Sequence, residues 1–588
     1  MTNNIKQRDN TGWQNLPSEW SERLRQILSA RQVQSATDLN YELADLPTPD
    51  LMLGMNKAVA LLAKAVMQQW KMMIVADFDT DGATSCAVAL RGLSLMGAQH
   101  LDYCVPNRFI HGYGLTVELL ADIPEQEQAD LLITVDNGIA SIEGVKLAQQ
   151  RGMKVLITDH HLPGETLPEA DAIINPNQEG DTFPSKNLAG VGVCFYLLLG
   201  LRKYLREQKW FEHQHLAEPK LNTLFDLVAL GTVADVVPLD KLNRTLVNLG
   251  LARIRTGRAV EGINALITIA GRNVRTLVAS DLGFSIAPRL NAAGRLEDMS
   301  LGIETLLSND LDEATTFSHR LDEINTQRRN VEQTMQDDAL LMLNKVTFEQ
   351  GNQALGYCLY DKTWHQGVIG LLASRIKERK HRPVIAFAQG NEGELKGSAR
   401  SIAGVHIRDV LALVANQLPA GVLTRFGGHA MAAGLTLAEK DLKLFEQQFI
   451  KVLERVVNED DLQHTLLSDG ELKSDEINVD FAEQLTVTAP WGQGFPEPQF
   501  HGLFTIVDYR SVGAQYDHLR LTLALESGET VTAMAFRQQQ PTWLKKGGHA
   551  LLHYRLNVNE FRGIRSVQLL VETLIEPALD PTSYSELN

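Results

Sequence analysis

The sequence predicts an α/β fold: a parallel-sheet domain, a long connecting helix, a second α/β domain and a C-terminal β-barrel. Three observations lead there. Short apolar runs at 71–77, 101–105, 131–136, 154–159 and 171–174 alternate with helical spacing, as at 84–96 and 141–151. Such alternation builds βαβ units and a parallel sheet buried on both faces. Residues 310–345 place Leu321, Ile324, Arg328, Val331, Met335, Ala339 and Met342 on one stripe, with no Gly or Pro between. That is a long helix, better suited to a strut than to a site. From about residue 500, Leu519, Leu521, Leu523 and Leu525 alternate with polar or small neighbours, and Leu552, Tyr554, Leu556 and Val558 repeat the pattern. Period-two alternation marks half-buried antiparallel strands.

The remaining elements follow in order. The 588 residues suggest about four domains. A helical stretch covers about 190–270, and a second α/β pattern occupies about 353–450. Residues 456–480 hold eight acids and one lysine, which reads as a solvated linker or exposed element. The glycine-punctuated strands after it fit a small barrel of the oligonucleotide-binding (OB) type. Hydrophobic content of 44% excludes wholesale disorder. The N-terminus lacks an apolar signal region, and no apolar run approaches the roughly 18 residues of a membrane span. Cys86, Cys104, Cys194 and Cys358 form no C-x-x-C pair and sit in apolar stretches, which points to the reducing cytoplasm. With 55 Lys and Arg against 72 Asp and Glu, the net charge is −17, which on its face disfavours a nucleic-acid binder.

Acids at the ends of the apolar runs argue otherwise. Asp77, Asp79 and Asp81 alternate in Asp-Phe-Asp-Thr-Asp-Gly directly after the first run. Like charges so close raise one another's pKa, and a divalent cation removes that cost. A calcium loop of the EF-hand type would need Glu at its twelfth position, where Val88 stands; a helix cap is the plainer alternative. Asp136-Asn137-Gly138 and Asp159-His160-His161 end two further runs, and Asp235 lies in an apolar run, where an unpaired charge is expensive. In an open α/β sheet the strands' carboxyl ends share one crevice, so these groups should meet. Carboxylates with an imidazole suit two manganese or magnesium ions. Such a pair, about 3.5–4 Å apart, serves in-line displacement at phosphorus.

These four segments resemble the motifs of the DHH phosphoesterase superfamily. Gly-Tyr-Gly-Leu at 112–115, Ala-Pro-Arg-Leu-Asn-Ala-Ala-Gly-Arg at 287–295, Trp-His-Gln-Gly-Val-Ile-Gly at 364–370, Gly-Ser-Ala-Arg-Ser at 397–401 and Gly-Gly-His-Ala-Met-Ala-Ala-Gly at 427–434 narrow the resemblance to the RecJ family. Those enzymes are single-strand-specific 5′→3′ DNA exonucleases. The resemblance implies an N-terminal extension (1–50), a DHH catalytic domain (51–300), a connecting helix (301–347) and a DHH-associated domain that binds the 5′ end (348–455). An acidic linker and a single-strand-binding OB domain (456–588) complete the chain. It further implies that Asp79, Asp81, Asp136, His160 and Asp235 are metal ligands, with Asp77 a ligand or a supporting group. His161 would face the scissile phosphate, and Asp159 would orient the histidines from behind. Where the family pattern has an acid before Gly112, this chain has His111, whose local role is left open.

For DNA, Arg289, Asn291 and Arg295 sit in a frame of small residues, with Arg108 a weaker candidate; solvated arginines at a capping turn are the bland alternative. Gly427, Gly428 and His429 resemble the signature of the DHH-associated domain, and with Ser398 and Arg400 the resemblance implies a pocket for the 5′ end; paired glycines free backbone N–H groups, although alone they mostly mark turns. Residues 361–410 carry nine Lys and Arg against five acids, and residues 501–566 eight against five, so the basic charge is local. Tyr516, Phe536, Tyr554 and Phe561 are available for base stacking, although core packing suits any one of them better. The expected activity is stepwise release of mononucleotides from single-stranded DNA in recombination and repair. A single-stranded DNA-binding protein and a helicase are the expected partners of a monomeric, membrane-free enzyme. Two alternatives stand beside it: a phosphodiesterase of short oligonucleotides or cyclic dinucleotides, and an inactive DNA-binding scaffold.

Overall fold

Met72–Ala76 contains no polar residue, and as the central strand β1 all five of its residues are buried. The computed structural model describes residues 4–124, 127–350, 354–391, 393–513 and 516–577. Strands β2 (Leu101–Cys104), β3 (Leu131–Val135), β4 (Lys154–Thr158) and β5 (Ala172–Ile174) join β1 in the order β2-β1-β3-β4-β5. Every pairing is parallel. The register sets Ala76 opposite Val135 and Val135 opposite Thr158. Three strands therefore end level, and the next residue of each is Asp77, Asp136 or Asp159. Helices α1 (Thr80–Leu95), α2 (Gly190–Glu207) and α3 (Phe225–Ala234) follow, with α2 and α3 both packed on α1. Helix α4 (Ala287–Leu296) continues from a π-helical turn at Leu282–Ile286.

Helix α5 (Leu311–Gln350) is continuous, as its stripe predicts. Leu321, Ile324, Met335 and Ala339 are buried along it, and Arg328 is held by Glu332 at 2.5 Å. The chain forms two compact units, residues 1–6 with 326–467 and residues 7–325 with 468–588. In the first, β6 (Tyr357–Tyr360), β7 (Val384–Gln389), β8 (Glu394–Arg400), β9 (Leu423–Gly428) and β10 (Ala432–Ala438) form a mixed sheet ordered β9-β10-β8-β7-β6. Helix α6 (Ile369–Lys380) packs on β7 and β8.

In the second unit, β11 (Phe500–Val512), β12 (His518–Ala524), β13 (Thr530–Ala535), β14 (His549–Phe561) and β15 (Ile564–Ile575) close a barrel, ordered β11-β12-β13-β15-β14. Leu519, Leu521 and Leu523 point to its core as the alternation requires. Tyr554 is fully buried, which removes it from the stacking candidates; Tyr516 and Phe536 are exposed. The side chain of Phe561 lies outside the described residues.

The N-terminal residues pack into the fold: Leu16, Leu24, Ile27 and Leu28 belong to the same core as the sheet and the barrel. One expectation from composition changes, because the 456–480 stretch is not a solvated linker throughout. Asp469 is buried and takes Arg31 in a two-armed pair at 2.7 and 2.9 Å. Breaking one partner of such a pair leaves a buried charge, so each fixes the other's segment. Among the described residues, no helix is long and apolar enough to cross a membrane.

The barrel carries a pH-dependent element. His501 is buried and shares a hydrogen bond with Ser468 Oγ at 2.8 Å. Burial, helped by the His553 imidazole opposite it, pushes its pKa down from 6.5 to about 4. The folded state thus holds His501 neutral while the unfolded chain protonates it below about pH 6.5. Its contribution to stability is complete above that pH and is lost as the pH falls towards 4, by roughly 2–3 kcal/mol. Urea titrations at pH 7 and pH 4.5 are expected to show this loss. His501→Gln should reduce the difference, and an unreduced difference would assign the loss to other groups.

Candidate metal centre

The level strand ends assemble the centre. Asp77 Oδ1 accepts the Phe78 N–H at 2.7 Å, which turns the chain into α1. Asp79 caps that helix, accepting the Gly82 N–H at 3.1 Å, so the cap reading and a ligand role coexist in one side chain. Asp81 is buried in the first turn and accepts the Gly190 and Val191 N–H groups at 2.7 and 3.1 Å. Those donors are the N-terminus of α2, whose dipole favours an anion there. Asp136 adopts φ +62°, a left-handed conformation uncommon outside Gly, Asn and Asp. Asn137 fastens the neighbouring strand ends, donating to Val75 O and Val135 O at 2.9 Å each.

The imidazoles arrive from β4. His160 Nε2 lies 3.1 Å from Asp136 Oδ1 and 3.4 Å from Asp235 Oδ2. His161 Nδ1 lies 2.7 Å from Asp159 Oδ1, and Asp159 also accepts the N–H groups of Ile139, His160 and His161. Asn175 and Asn177 hold the carbonyls of His161 and His160 at 2.8 and 2.6 Å. Asp235 comes from the C-terminal end of α3, not from deep in an apolar run: its side chain is 21% exposed. The run before it is a helix buried all round, and only its last turn reaches the crevice.

Ligand atoms of Asp77, Asp79 and Asp136 lie within 4.8 Å of one another, as do those of Asp81, His160 and Asp235, and of Asp136, His160 and His161. Burial, then the neighbouring carboxylates, pushes Asp77, Asp136 and Asp235 well above the usual range and Asp81 to about 7. Burial also opposes charge on Asp159, yet the His161 hydrogen bond and charge hold it below that range. Burial opposes charge on His161 too, but Asp159, Asp235 and Asp77 outweigh it and push it up to about 9. Among the described residues, His160 Nε2 at 3.1 Å is the polar neighbour of buried Asp136 Oδ1, which accepts no hydrogen bond of good geometry. Five mutually repelling carboxylates plus one imidazole form a hard, oxygen-rich donor set. They fit manganese or magnesium, with Asp136 shared between two groups.

The substrate candidates separate. Arg108 lies over the Phe78 ring at 4.1 Å and feels the charges of Asp77 and Asp79, so it borders the centre. Arg289 is engaged by Asp322 at 2.9 Å and by the Ser285 carbonyl. Asn291 Oδ1 accepts both the N–H and hydroxyl of Thr80, at 2.8 and 2.9 Å. Both side chains thus also brace the fold, and the small residues serve close packing: a Cβ on Gly294 would overlap the Phe78 carbonyl oxygen. Arg295 is half-buried in the last turn of α4. His111 also has a local task. Its Nδ1 accepts the Asn107 N–H at 2.9 Å, and its Nε2 meets Asp122 at 2.8 Å, clasping the loop.

Tyr113 has a role that sequence reasoning misses. Its hydroxyl donates to Asp136 O at 3.1 Å and lies 3.2 Å from His161 Nδ1, so it braces both. A tyrosine between glycines is the only trace of this. Gly190 and Gly231 are missed in the same way. A Cβ on Gly190 would lie 2.5 Å from Asp136 Cβ and Oδ1, and one on Gly231 would lie 2.7 Å from Asp81 Oδ1.

In the other unit, Arg400 donates to Ser398 Oγ at 3.0 Å, and a Cβ on Gly370 would lie 2.9 Å from Arg400 Nη2. Ser398, Gly434 and Gly427 form one row across β8, β10 and β9. Space above Gly427 is open, Gly428 has φ +143°, and the His429 N–H donates to Ala432 O at 2.8 Å.

Comparison with known proteins agrees with this geometry. Residues 71–232 match the DHH family, N-terminal domain; residues 351–459 match the DHHA1 domain; residues 468–573 match the RecJ OB domain. The single-stranded-DNA-specific exonuclease RecJ of Dickeya dadantii is 48% identical over 561 residues, 95% of this chain and 97% of the relative. Crystal structures of RecJ from Thermus thermophilus in complex with Mn²⁺ and with Mg²⁺ superpose with TM-scores of 0.79 and 0.73. Their identities are 28% and 27%, and each covers 98% of this chain, with 79% and 78% of the other covered. The chain belongs to the RecJ family of single-stranded-DNA-specific exonucleases.

Proposed function

We propose that this chain degrades single-stranded DNA from the 5′ end, hydrolysing one phosphodiester at a time to release mononucleotides. The observation that carries the reading is the convergence of Asp77, Asp79, Asp81, Asp136, Asp235 and His160 beyond level strand ends, in a chain that also has a closed barrel. Those six residues would hold the divalent ions, manganese or magnesium. When bound, the ions supply an activated water and neutralise charge at the scissile phosphate. The protein does the positioning. Asp159 fixes the His161 ring and keeps it charged, so that it donates to a phosphate oxygen. Tyr113 holds the ring from the other side. Arg108, propped on Phe78, adds a fixed cation beside the centre, and Arg295 is a further candidate for a backbone phosphate.

Ser398, Arg400, Gly427, Gly428 and His429 would receive the 5′ end. Exposed Tyr516 and Phe536, with the barrel's basic residues, would hold the strand further along. The barrel favours a polymer over a cyclic dinucleotide, and the strained acid cluster disfavours an inactive scaffold. Cytoplasmic action in recombination and repair as a monomer, with a helicase and a single-stranded DNA-binding protein, is the physiological setting of this reading.

The direct test is a single strand labelled at either end, with manganese or with chelator. Early release of the 5′ label as a mononucleotide, only with metal, is expected; early loss of a 3′ label would overturn the polarity. Arg400→Gln is expected to raise KM about tenfold for a 5′-phosphorylated strand, with kcat little changed, since a charged hydrogen bond is worth about 1.5–3 kcal/mol. An unchanged KM would remove Arg400 from the 5′ pocket.

A further inference from the structure

The row of Ser398, Gly434 and Gly427 lies on one face of the mixed sheet, and the next row on that face has no task yet. Along β8, Leu395, Gly397 and Ala399 are buried, whereas Glu394, Lys396, Ser398 and Arg400 are not. Successive side chains of a strand point to opposite faces, so these four share the open one. Register carries that face across the sheet. Lys396 pairs with Thr436, and Thr436 pairs with Arg425. The second row lies two residues along the strands from the first, about 6.7 Å.

The ground between the rows is bare. A Cβ on Gly427 or on Gly434 would meet nothing within 4 Å. Cations stand on the far side of it. Lys396 Nζ donates to Thr436 Oγ1 at 3.2 Å, which holds the ammonium over β10. Arg425 is exposed on β9 and, among the described residues, forms no ion pair. One acid is near: Glu394 lies 3.5 Å from Lys396, with side chains 42% and 37% exposed, so the pair is weak. Glu394 sits one row further on, opposite Ala438. An arginine on an edge strand also discourages pairing with other chains. That role requires neither Lys396 nor the bare floor.

We propose that this second row receives the β- and γ-phosphates of a strand that ends in a 5′-triphosphate. The proposal rests on the reading of Ser398, Arg400, Gly427, Gly428 and His429 as the 5′ pocket. The α-phosphate takes the place of a terminal monophosphate. The anhydride chain then runs over the glycines, and two further phosphates bridge the distance between the rows. The ammonium and the guanidinium fork both suit phosphate oxygens. Glu394 repels anything longer, so the site ends at the γ-phosphate. The bond-breaking step is the same as for a monophosphate end. A water oxygen attacks phosphorus in the first phosphodiester, the bond to the 3′ oxygen breaks, and that oxygen takes up a proton. The first product is therefore a nucleoside triphosphate, and the shortened strand carries an ordinary 5′-monophosphate.

The test uses the full chain with manganese and two oligothymidylates that differ only in a 5′-monophosphate or a 5′-triphosphate. Thymidine triphosphate is expected as the first product of the second strand, with KM within about threefold of the first strand's. Lys396→Ala with Arg425→Ala should raise KM for the triphosphate strand at least about tenfold and leave that for the monophosphate strand within about twofold, which also certifies the fold. A monophosphate strand degraded while the triphosphate strand stays intact would overturn the proposal and leave the 5′ reading standing. So would a double variant with unchanged KM for the triphosphate strand. A double variant that weakens both strands alike would assign the row to the strand backbone instead. If neither strand lost its 5′ nucleotide first, the underlying reading would fall with the proposal.

Discussion

Asp136→Asn is expected to slow strand degradation by at least about 10³-fold, while single-strand affinity stays within about threefold. Asp136 belongs to two of the ligand groups, so its charge serves both. Asparagine is the substitution of choice because the residue sits at φ +62°, where Asn is tolerated and most residues are strained. Loss of activity can then be assigned to the missing charge rather than to a distorted strand end. A second measurement separates the two further. The cluster's buried carboxylates repel one another in the absence of a cation. In chelator, the variant should therefore melt no lower than the parent. Added manganese should raise the parent's melting temperature and raise the variant's much less, because stabilisation follows differential binding. Full activity in this variant would sink the ligand assignment; a lower melting temperature in chelator would show that the fold, not the charge, had been lost.

The sheet is legible because each strand is a short, mostly apolar run, three of them ended by an acid, and the parallel order follows from helices between the runs. Parallel register then makes the meeting of Asp77, Asp136 and Asp159 a consequence of topology. Asp235 is legible as a member of the group, but not its setting. Its apolar run is a helix buried on all sides, and periodicity does not separate that from a buried strand. What stays hidden depends on partners remote in sequence. Asn291 meets Thr80 across 211 residues, and Arg31 meets Asp469 across 438. Arginine and asparagine among small residues suggest phosphate binding, and nothing local in the sequence shows the buttressing contacts that the fold adds. The acidic count at 456–480 hides Asp469 in the same way, since composition averages a buried acid with exposed ones.

Gly190→Ala is expected to cost about as much activity as the loss of a site side chain, roughly 10²-fold in kcat, although glycine has no chemistry of its own. The new methyl would lie 2.5 Å from Asp136 Cβ and Oδ1, well inside van der Waals contact. Neither neighbour can yield easily. Asp136 is held at a strand end by the Tyr113 hydroxyl on its carbonyl, and the Gly190 N–H is the 2.7 Å donor to Asp81. The methyl must therefore move Asp136 or pull α2 off Asp81, and both carboxylates belong to the candidate ligand set. Overpacking of this kind costs about 1–3 kcal/mol of stability. A manganese titration monitored by calorimetry should show affinity reduced by about tenfold or more, as when a ligand's support is removed. Gly427→Ala provides the contrast, because nothing lies within 4 Å of its added Cβ. It should leave manganese affinity and kcat unchanged and raise KM for a 5′-phosphorylated strand. If the two alanines behaved alike, close approach at Gly190 would not be what sets the metal geometry. If they separate as expected, one glycine is required for the ions to fit and the other for the strand to reach the protein.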